Sequence, residues 1–194
     1  VHGDTSTTFT AALACFYKGI DFAHLEAGLR TYDLLNPWPE EANRQLCSKL
    51  ASVHFAPTQK SAKNLTYENI DQKNICVTGN TVVDALYYVM DKLKKSPALI
   101  EQIENNLSYE DFVLSKNRKL VLITGHRREN FGKNMLEICD AIAILANKNP
   151  KIDFVYPVHL NPNVQKPVIR KLSGVKNIYL LKPLGYINFI YLMS

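Results

Sequence analysis

The sequence is most informative first for what it lacks. Its four cysteines, Cys15, Cys47, Cys76 and Cys139, stand far apart inside apolar segments and never form a Cys-x-x-Cys pair. That argues against a zinc site or a dithiol redox centre, and for reduced core thiols in a cytoplasmic protein. No His-Glu-x-x-His or other metal-ligand spacing occurs, so His2, His24 and His54 read as packing or capping residues. The eight glycines never fall into Gly-x-Gly-x-x-Gly, and there is no Gly-Lys-Ser/Thr and no Gly-x-Ser-x-Gly. Within these residues that excludes a dinucleotide fingerprint, a phosphate loop and a nucleophile elbow. No apolar run is long enough to span a membrane and no secretory signal is visible, so the sequons at Asn64 and Asn106 carry no weight. There is no tandem repeat, no low-complexity tract and no basic stripe interleaved with aromatics. The net charge of +5 is scattered apart from Lys92, Lys94, Lys95 and the run from Lys116 to Lys119. This speaks against a nucleic-acid partner and suits an anionic small substrate equally well.

What is present is a foldable α/β pattern. With 46% hydrophobic residues, 194 residues can bury the core of one domain or two small ones. Short apolar runs alternate with helical patterns. The predicted strands are 20–27, 53–56, 75–78, 120–123, 154–158 and 178–181. Between them lie predicted helices from 5 to 17, 39 to 52, 59 to 69, 81 to 90, 134 to 146 and 164 to 172. Such alternation implies right-handed βαβ units and parallel sheets. From Asp91 to Asn117 the pattern weakens into lysines, Ser96-Pro97 and a charged helix, which reads as a connection between two blocks. Val1-His2-Gly3-Asp4 resembles the end of a strand, and Phe189 to Ser194 stops inside an apolar helical pattern. Both ends look cut, as in an internal fragment.

The chemistry-bearing residues recur just past strand ends: Asp4, Glu26, Thr58, Asn80, His126 and His159. In open parallel sheets ligands bind along that edge. Gly3-Asp4-Thr5 puts a carboxylate at a helix start, where Asp4 can also serve as the cap. Glu26, Glu40 and Glu41 add acids near one loop, and carboxylates at different distances can divide acid and base roles. Glu40 and Glu41 also complement a helix dipole, and for Glu41 that is the preferred reading. Arg30 and Arg44 can bind phosphate or pair with these acids. Gly125-His-Arg-Arg-Glu-Asn130 is the best anion site, with a glycine permitting close backbone approach and His126, Arg127 and Arg128 as donors. Arg128 can equally be a solvated loop residue. His159, in Pro157-Val-His-Leu-Asn-Pro162, is a ligand-binding or a structural histidine.

Taken together, the motifs resemble those of the non-hydrolysing UDP-N-acetylglucosamine 2-epimerases. The matching segments are Val1-His-Gly-Asp-Thr5, His24-Leu-Glu-Ala-Gly-Leu-Arg-Thr31 and Pro37-Trp-Pro-Glu-Glu-Ala-Asn-Arg44. They continue with His54-Phe-Ala-Pro-Thr58, Val77-Thr-Gly-Asn-Thr81, Thr124-Gly-His-Arg-Arg-Glu-Asn130 and Tyr156-Pro-Val-His-Leu-Asn-Pro162. The resemblance implies an α/β fold of two Rossmann-like parallel-sheet domains facing a cleft, the glycosyltransferase-B arrangement, with both domains incomplete here. Residues 1–92 correspond to the later half of the N-terminal domain, 93–118 to the inter-domain connection and 119–194 to the early half of the C-terminal domain. The family's opening glycine loop and its later Ser-Gly-Gly segment have no counterpart in these residues, and Leu184 stands where some members carry Gln.

The implied reaction is inversion at C2 of UDP-N-acetylglucosamine, giving UDP-N-acetylmannosamine by elimination of UDP to a glycal and re-addition. It implies no redox cofactor and no metal. Carried over residue by residue, Asp4, Glu26 and Glu40 are the carboxylates for proton transfer and ring-charge stabilisation, and His126 supports the diphosphate. Arg30, Arg127 and Phe189 are substrate-binding candidates, Phe189 as a nucleotide-contacting aromatic. Arg127 and His159 match a second, regulatory substrate site of some bacterial members. The family's usual form is a homodimer, with no nucleic-acid or membrane partner. Two rivals stay open: a glycosyltransferase of the same architecture and a non-catalytic nucleotide-sugar sensor.

Overall fold

The computed structural model describes residues 1–108, 112–115, 117–127 and 130–194. The chain divides into two compact units, Val1–Ala85 and Leu86–Ser194. Both are α/β, each with a parallel three-stranded sheet, in agreement with the alternation in the sequence.

The first unit holds α1 (Ser6–Tyr17), β1 (Ala23–Leu25), α2 (Glu40–Leu50), β2 (Val53–Ala56), α3 (Gln59–Tyr67) and β3 (Ile75–Val77). The strand order is β1-β2-β3, all parallel. The predicted N-terminal strand is reduced to one parallel bridge, His2 to Leu25, because Gly3 turns away at φ +73°. The predicted strand 20–27 is likewise short. It ends where Glu26 takes the left-handed conformation at φ +65°, which few residues other than glycine adopt. Helix α1 packs against α2, and α3 covers β2 and β3. Beneath α3, Ala27, Ala56 and Leu65 are fully buried, with Ala62, Ile70 and Ile75 around them. The small side chains allow close approach of helix and sheet. Gly28 is the tightest point: its φ is +86°, and an added Cβ would sit 2.2 Å from the Ser61 carbonyl oxygen. Gly28→Ala is therefore expected to cost about 2–3 kcal/mol, part from the left-handed backbone and part from the clash. Urea unfolding checks this, and a loss below about 0.5 kcal/mol would show that the turn yields freely.

Helix α4 (Thr81–Lys95) starts in the first unit and continues into the second from Leu86. There follow α5 (Pro97–Ser108), β4 (Lys119–Leu122), α6 (Lys133–Lys148), β5 (Ile152–Pro157), α7 (Pro162–Leu172), β6 (Ile178–Leu181) and α8 (Tyr186–Met193). The order β4-β5-β6 is again parallel. Alternate residues of β5 face opposite sides, as the strand period requires. Phe154 and Tyr156 pack with Met135 and Cys139 of α6 and Val164, Val168 and Leu172 of α7. Val155, on the other face, packs with Val89 and Leu93 of α4, Ile103 and Leu107 of α5, and Ile190 and Leu192 of α8. Much of the segment read as a connection thus contributes to this core, including Phe112 with no exposed surface. No helix among the described residues is long and apolar enough to cross a membrane.

Candidate active site

The C-terminal edge of the first sheet collects three sequence motifs. Past the His2 bridge comes the Gly3–Asp4 turn, past β1 comes Glu26, and past β3 comes Thr78-Gly-Asn-Thr81. The turn is held by its own backbone oxygens. Thr8 Oγ1 donates to the His2 carbonyl at 2.6 Å, His24 Nε2 donates to the Gly3 carbonyl at 2.8 Å, and Asn43 Nδ2 donates to the Asp4 carbonyl at 2.8 Å. Three consecutive carbonyls are thereby tied to three different elements, which fixes the path of the chain through Asp4. Asp4 is not the helix cap: Thr5 takes that role, its hydroxyl accepting from the Thr8 N–H. The Asp4 carboxylate is left for other work.

Glu26 sits at the strand end with its side chain about one quarter exposed. Its Oε1 accepts from Asn80 Nδ2 at 2.8 Å, while Oε2 lies 3.6 Å from His2 Nε2. Asn80 is itself braced, its Oδ1 accepting from the Val82 N–H. A cavity of about 180 Å³ opens here, lined by Leu25, Glu26, Phe55 and the loop from Thr78 to Thr81. It combines an apolar wall with one carboxylate and one amide, a composition common to small-ligand sites. Reading His2 as a packing or capping residue missed this contact, since its ring is exposed and faces Glu26. Only the fold supplies this signal: His2 is the bridge partner of Leu25, the residue before Glu26.

Helix α2 supplies the remaining acids. Glu40, in its first turn, is half-buried and has no hydrogen-bond or ion-pair partner among the described residues. Glu41 departs from the sequence expectation. It is not a surface complement to the helix dipole but is fully buried, accepting from the Thr31 and Tyr32 N–H groups at 3.1 Å each and from Gln45 Nε2 at 3.0 Å. Burial pushes its carboxyl up, but the hydrogen bonds from Gln45, Thr31 and Tyr32 and the charge of Arg30 outweigh this and hold it below the ordinary glutamate value. Both arginines whose role the sequence left open pair with acids. Arg44 engages Asp4 and Glu41. Arg30 has no exposed side-chain surface and turns inward to Glu68, Ser48 Oγ and the Leu29 carbonyl. Glu68 was not among the candidate residues. It lies 38 positions away, where no local pattern links it to Arg30.

In the second unit, the loop after β4 carries Gly125, His126 and Arg127. Arg128 and Glu129 of the same motif lie outside the described residues. Tyr156 Oη donates to the Gly125 carbonyl at 2.8 Å, and a Cβ on Gly125 would meet that hydroxyl at 3.1 Å. The phenol thus props the loop from below, and burial pushes its pKa up to about 12, so it remains a donor at any physiological pH. His126 stacks on His159, ring centroids 5.4 Å apart and planes 16° from parallel. Both rings are exposed. His159 Nδ1 accepts from the Asn161 N–H at 3.1 Å, which assigns the ring proton of its neutral form to Nε2. Arg127 is exposed beside them. Phe189, on α8, packs against the core of Val155 and Leu181. The structure thus joins Asp4 to α2 and Glu26 to Asn80 in the first unit, and His126 to His159 in the second.

Comparison with known proteins matches these motifs over their full extent. The family model for UDP-N-acetylglucosamine 2-epimerase covers residues 1–194. UDP-N-acetylglucosamine 2-epimerases of Campylobacter jejuni and Yersinia pestis are 55% and 53% identical to the chain, each match covering 100% of it and 50% of the relative. Among solved structures, UDP-GlcNAc 2-epimerase from Neisseria meningitidis, bound to UDP-GlcNAc, superposes with a TM-score of 0.93 at 50% identity, covering 100% of this chain and 51% of that one. A putative UDP-N-acetylglucosamine 2-epimerase from Listeria monocytogenes gives 0.82 at 41% identity, covering 97% and 47%. The chain spans about half the length of the curated relatives it matches. With a family model matching from end to end and relatives identical at half of all positions, the chain belongs to the UDP-N-acetylglucosamine 2-epimerase family.

Proposed function

We propose that the full-length protein carrying this chain interconverts UDP-N-acetylglucosamine and UDP-N-acetylmannosamine. The observation that carries this reading is the convergence of Asp4 and Glu26 on one edge of the first sheet, beside an apolar-walled cavity and with α2 bonded to the Asp4 turn. The C2 proton of the sugar is not next to a carbonyl, so direct removal is difficult. Breaking the anomeric C–O bond first puts positive charge on the ring and acidifies C2–H. UDP leaves, a carboxylate takes the proton, and a glycal remains. Re-addition of UDP with protonation from the other face gives the epimer. The reaction calls for carboxylates near the oxocarbenium-like ring and cationic or hydrogen-bonding groups on the departing diphosphate.

Asp4, Glu26 and Glu40 are the carboxylates in this scheme, and His126 supports the diphosphate. Arg127 and Phe189 bind substrate, and Arg127 with His159 serves a second, regulatory substrate molecule. Arg30, spent on Glu68, contributes through the scaffold of the first unit and not through phosphate. The Neisseria relative, described as bound to UDP-GlcNAc, supports the choice of substrate. A homodimer and a cytoplasmic location accompany this reading, the latter in keeping with four free cysteines.

The test is to incubate the full-length protein with UDP-N-acetylglucosamine in deuterated water. Deuterium at C2 and the appearance of the epimer are the expected results. Sugar transfer to an acceptor without exchange would instead identify a glycosyltransferase. The 194 residues alone are expected to show little turnover, since they span half of the relatives' length. Robust epimerisation by the isolated chain would contradict this.

A further inference from the structure

Helix α2 does more than carry Glu40. At 3.6 residues per turn, Glu40, Glu41, Asn43 and Arg44 fall within an arc of roughly 160° on one side of it. Three of the four are tied to one another or to Asp4. Asn43, nearly buried, donates to the Asp4 carbonyl. Arg44 donates to Asp4 Oδ2 from Nε at 2.9 Å, and its Nη2 stands 2.7 Å from the same oxygen. Its Nη1 stands 3.4 Å from Oε2 of Glu41. Glu41 cannot drift, because it is fully buried and both its oxygens are held by the backbone N–H groups of Thr31 and Tyr32. The order of constraint runs from the 31–32 loop to Glu41, to Arg44, to Asp4.

Two details separate this arrangement from an ordinary surface ion pair. The Arg44 and Asp4 side chains are only 16% and 24% exposed, so water competes weakly for them. Both nitrogens also converge on the same oxygen, which leaves Asp4 Oδ1 without a hydrogen bond among the described residues. A guanidinium placed to bind diphosphate would keep its fork open, as planar bidentate recognition requires. Here the fork is closed on two protein carboxylates.

We propose that Arg44, anchored by the buried Glu41, is a positioning residue that fixes the Asp4 carboxylate with Oδ1 presented to the reacting sugar. The proposal rests on the reading of Asp4 as one of the epimerisation carboxylates. Lysine cannot replace Arg44, because an ammonium offers no fork that grips Asp4 while reaching Glu41. A carboxylate misplaced by about 1 Å can lose on the order of a hundredfold in rate.

The experiment is a double-mutant cycle in the full-length protein, with Arg44→Lys introduced alone and together with Asp4→Asn, and kcat and KM measured by deuterium exchange at C2. Arg44→Lys alone should lower kcat about 10- to 100-fold with KM changed less than about threefold. In the Asp4→Asn background the same change should alter the residual kcat less than about twofold. An equal loss in both backgrounds would show a general structural role and overturn the proposal. A raised KM with kcat preserved would make Arg44 a direct substrate ligand and overturn it as well. Should the lysine variant fail to fold, Arg44→Gln, which keeps a donor for one partner, takes its place with the same criteria. If the unsubstituted protein does not exchange at C2, or Asp4→Asn retains full turnover, the reading of Asp4 has failed and the proposal falls with it. If Asp4→Asn loses turnover and only the cycle is additive, the positioning role alone is lost.

Discussion

Replacing Glu68 by Ala should cost the first unit about 3–5 kcal/mol, the range for removing one partner of a buried ion pair. The reason is the state in which it leaves Arg30. That guanidinium has no exposed surface and is held by Glu68 through both Nε and Nη2. Its other partners, Ser48 Oγ and the Leu29 carbonyl, are neutral and cannot compensate the charge. Coupling should show in a double variant: Arg30→Met with Glu68→Leu removes both charges and should recover much of the single loss, since paired apolar replacement of a buried ion pair is often neutral. Urea unfolding of the single and double variants measures both effects. A Glu68→Ala loss below about 1 kcal/mol would mean that water reaches Arg30, and the account given for it would be wrong.

The second large effect is on pH dependence. His24 and His54 are register partners on β1 and β2, and both are buried. Each has an Nδ1 that is enclosed and without a hydrogen bond among the described residues. Burial, then the neighbouring His24 and Arg30, push the His54 pKa down to about 4, with Glu68 acting weakly the other way. Burial likewise pushes His24 down, opposed by its bond to the Gly3 carbonyl. Both rings are therefore neutral in the native state at neutral pH. Between pH 6.5 and about 4 the unfolded chain binds a proton at His54 that the native protein does not, and the lowered His24 acts in the same direction, so stability falls as pH falls. Above pH 6.5 neither state is protonated, and the full stability is present.

The His54 shift alone corresponds to about 3 kcal/mol lost across that window, at 1.36 kcal/mol per pH unit. Denaturant midpoints at pH 4.5, 5.5 and 7.0 measure the slope. His54→Leu, which keeps the volume and removes the titration, should flatten it. A slope unchanged in that variant would move the acid sensitivity onto carboxylates. The consequence reaches the candidate site, because His24 holds the Gly3 carbonyl next to Asp4.

These two cases show where sequence reading stops. The strands β2 and β6 occur at 53–56 and 178–181, where the apolar runs placed them, because a short buried run between turn residues has few alternatives. The candidate edge was legible for the same reason: Glu26, Asn80 and His126 follow strand ends, and Asp4 the His2 bridge, whatever the strand order. The helices between 81 and 108 were harder. Leu86, Val89, Met90 and Leu93 do recur at helical spacing, but lysines and Ser96-Pro97 interrupt the pattern, and only packing on the sheet of the second unit gives those residues their burial.

Glu40 and Glu41 show the limit most sharply. Adjacent in sequence and identical in type, they share every local signal, yet one is half-exposed and has no partner among the described residues while the other is a buried hub. The difference is about 100° of helix rotation, read against the 31–32 loop, whose N–H groups meet only Glu41. The amino-acid sequence by itself determined the βα alternation, the parallel sheets and the placement of acids at strand ends, since hydrophobic period and turn chemistry are local. The tertiary structure alone decided the pairings Arg44–Asp4, Arg30–Glu68 and His24–His54. Each joins residues 30 to 40 positions apart, and only packing brings such partners within hydrogen-bond or van der Waals reach.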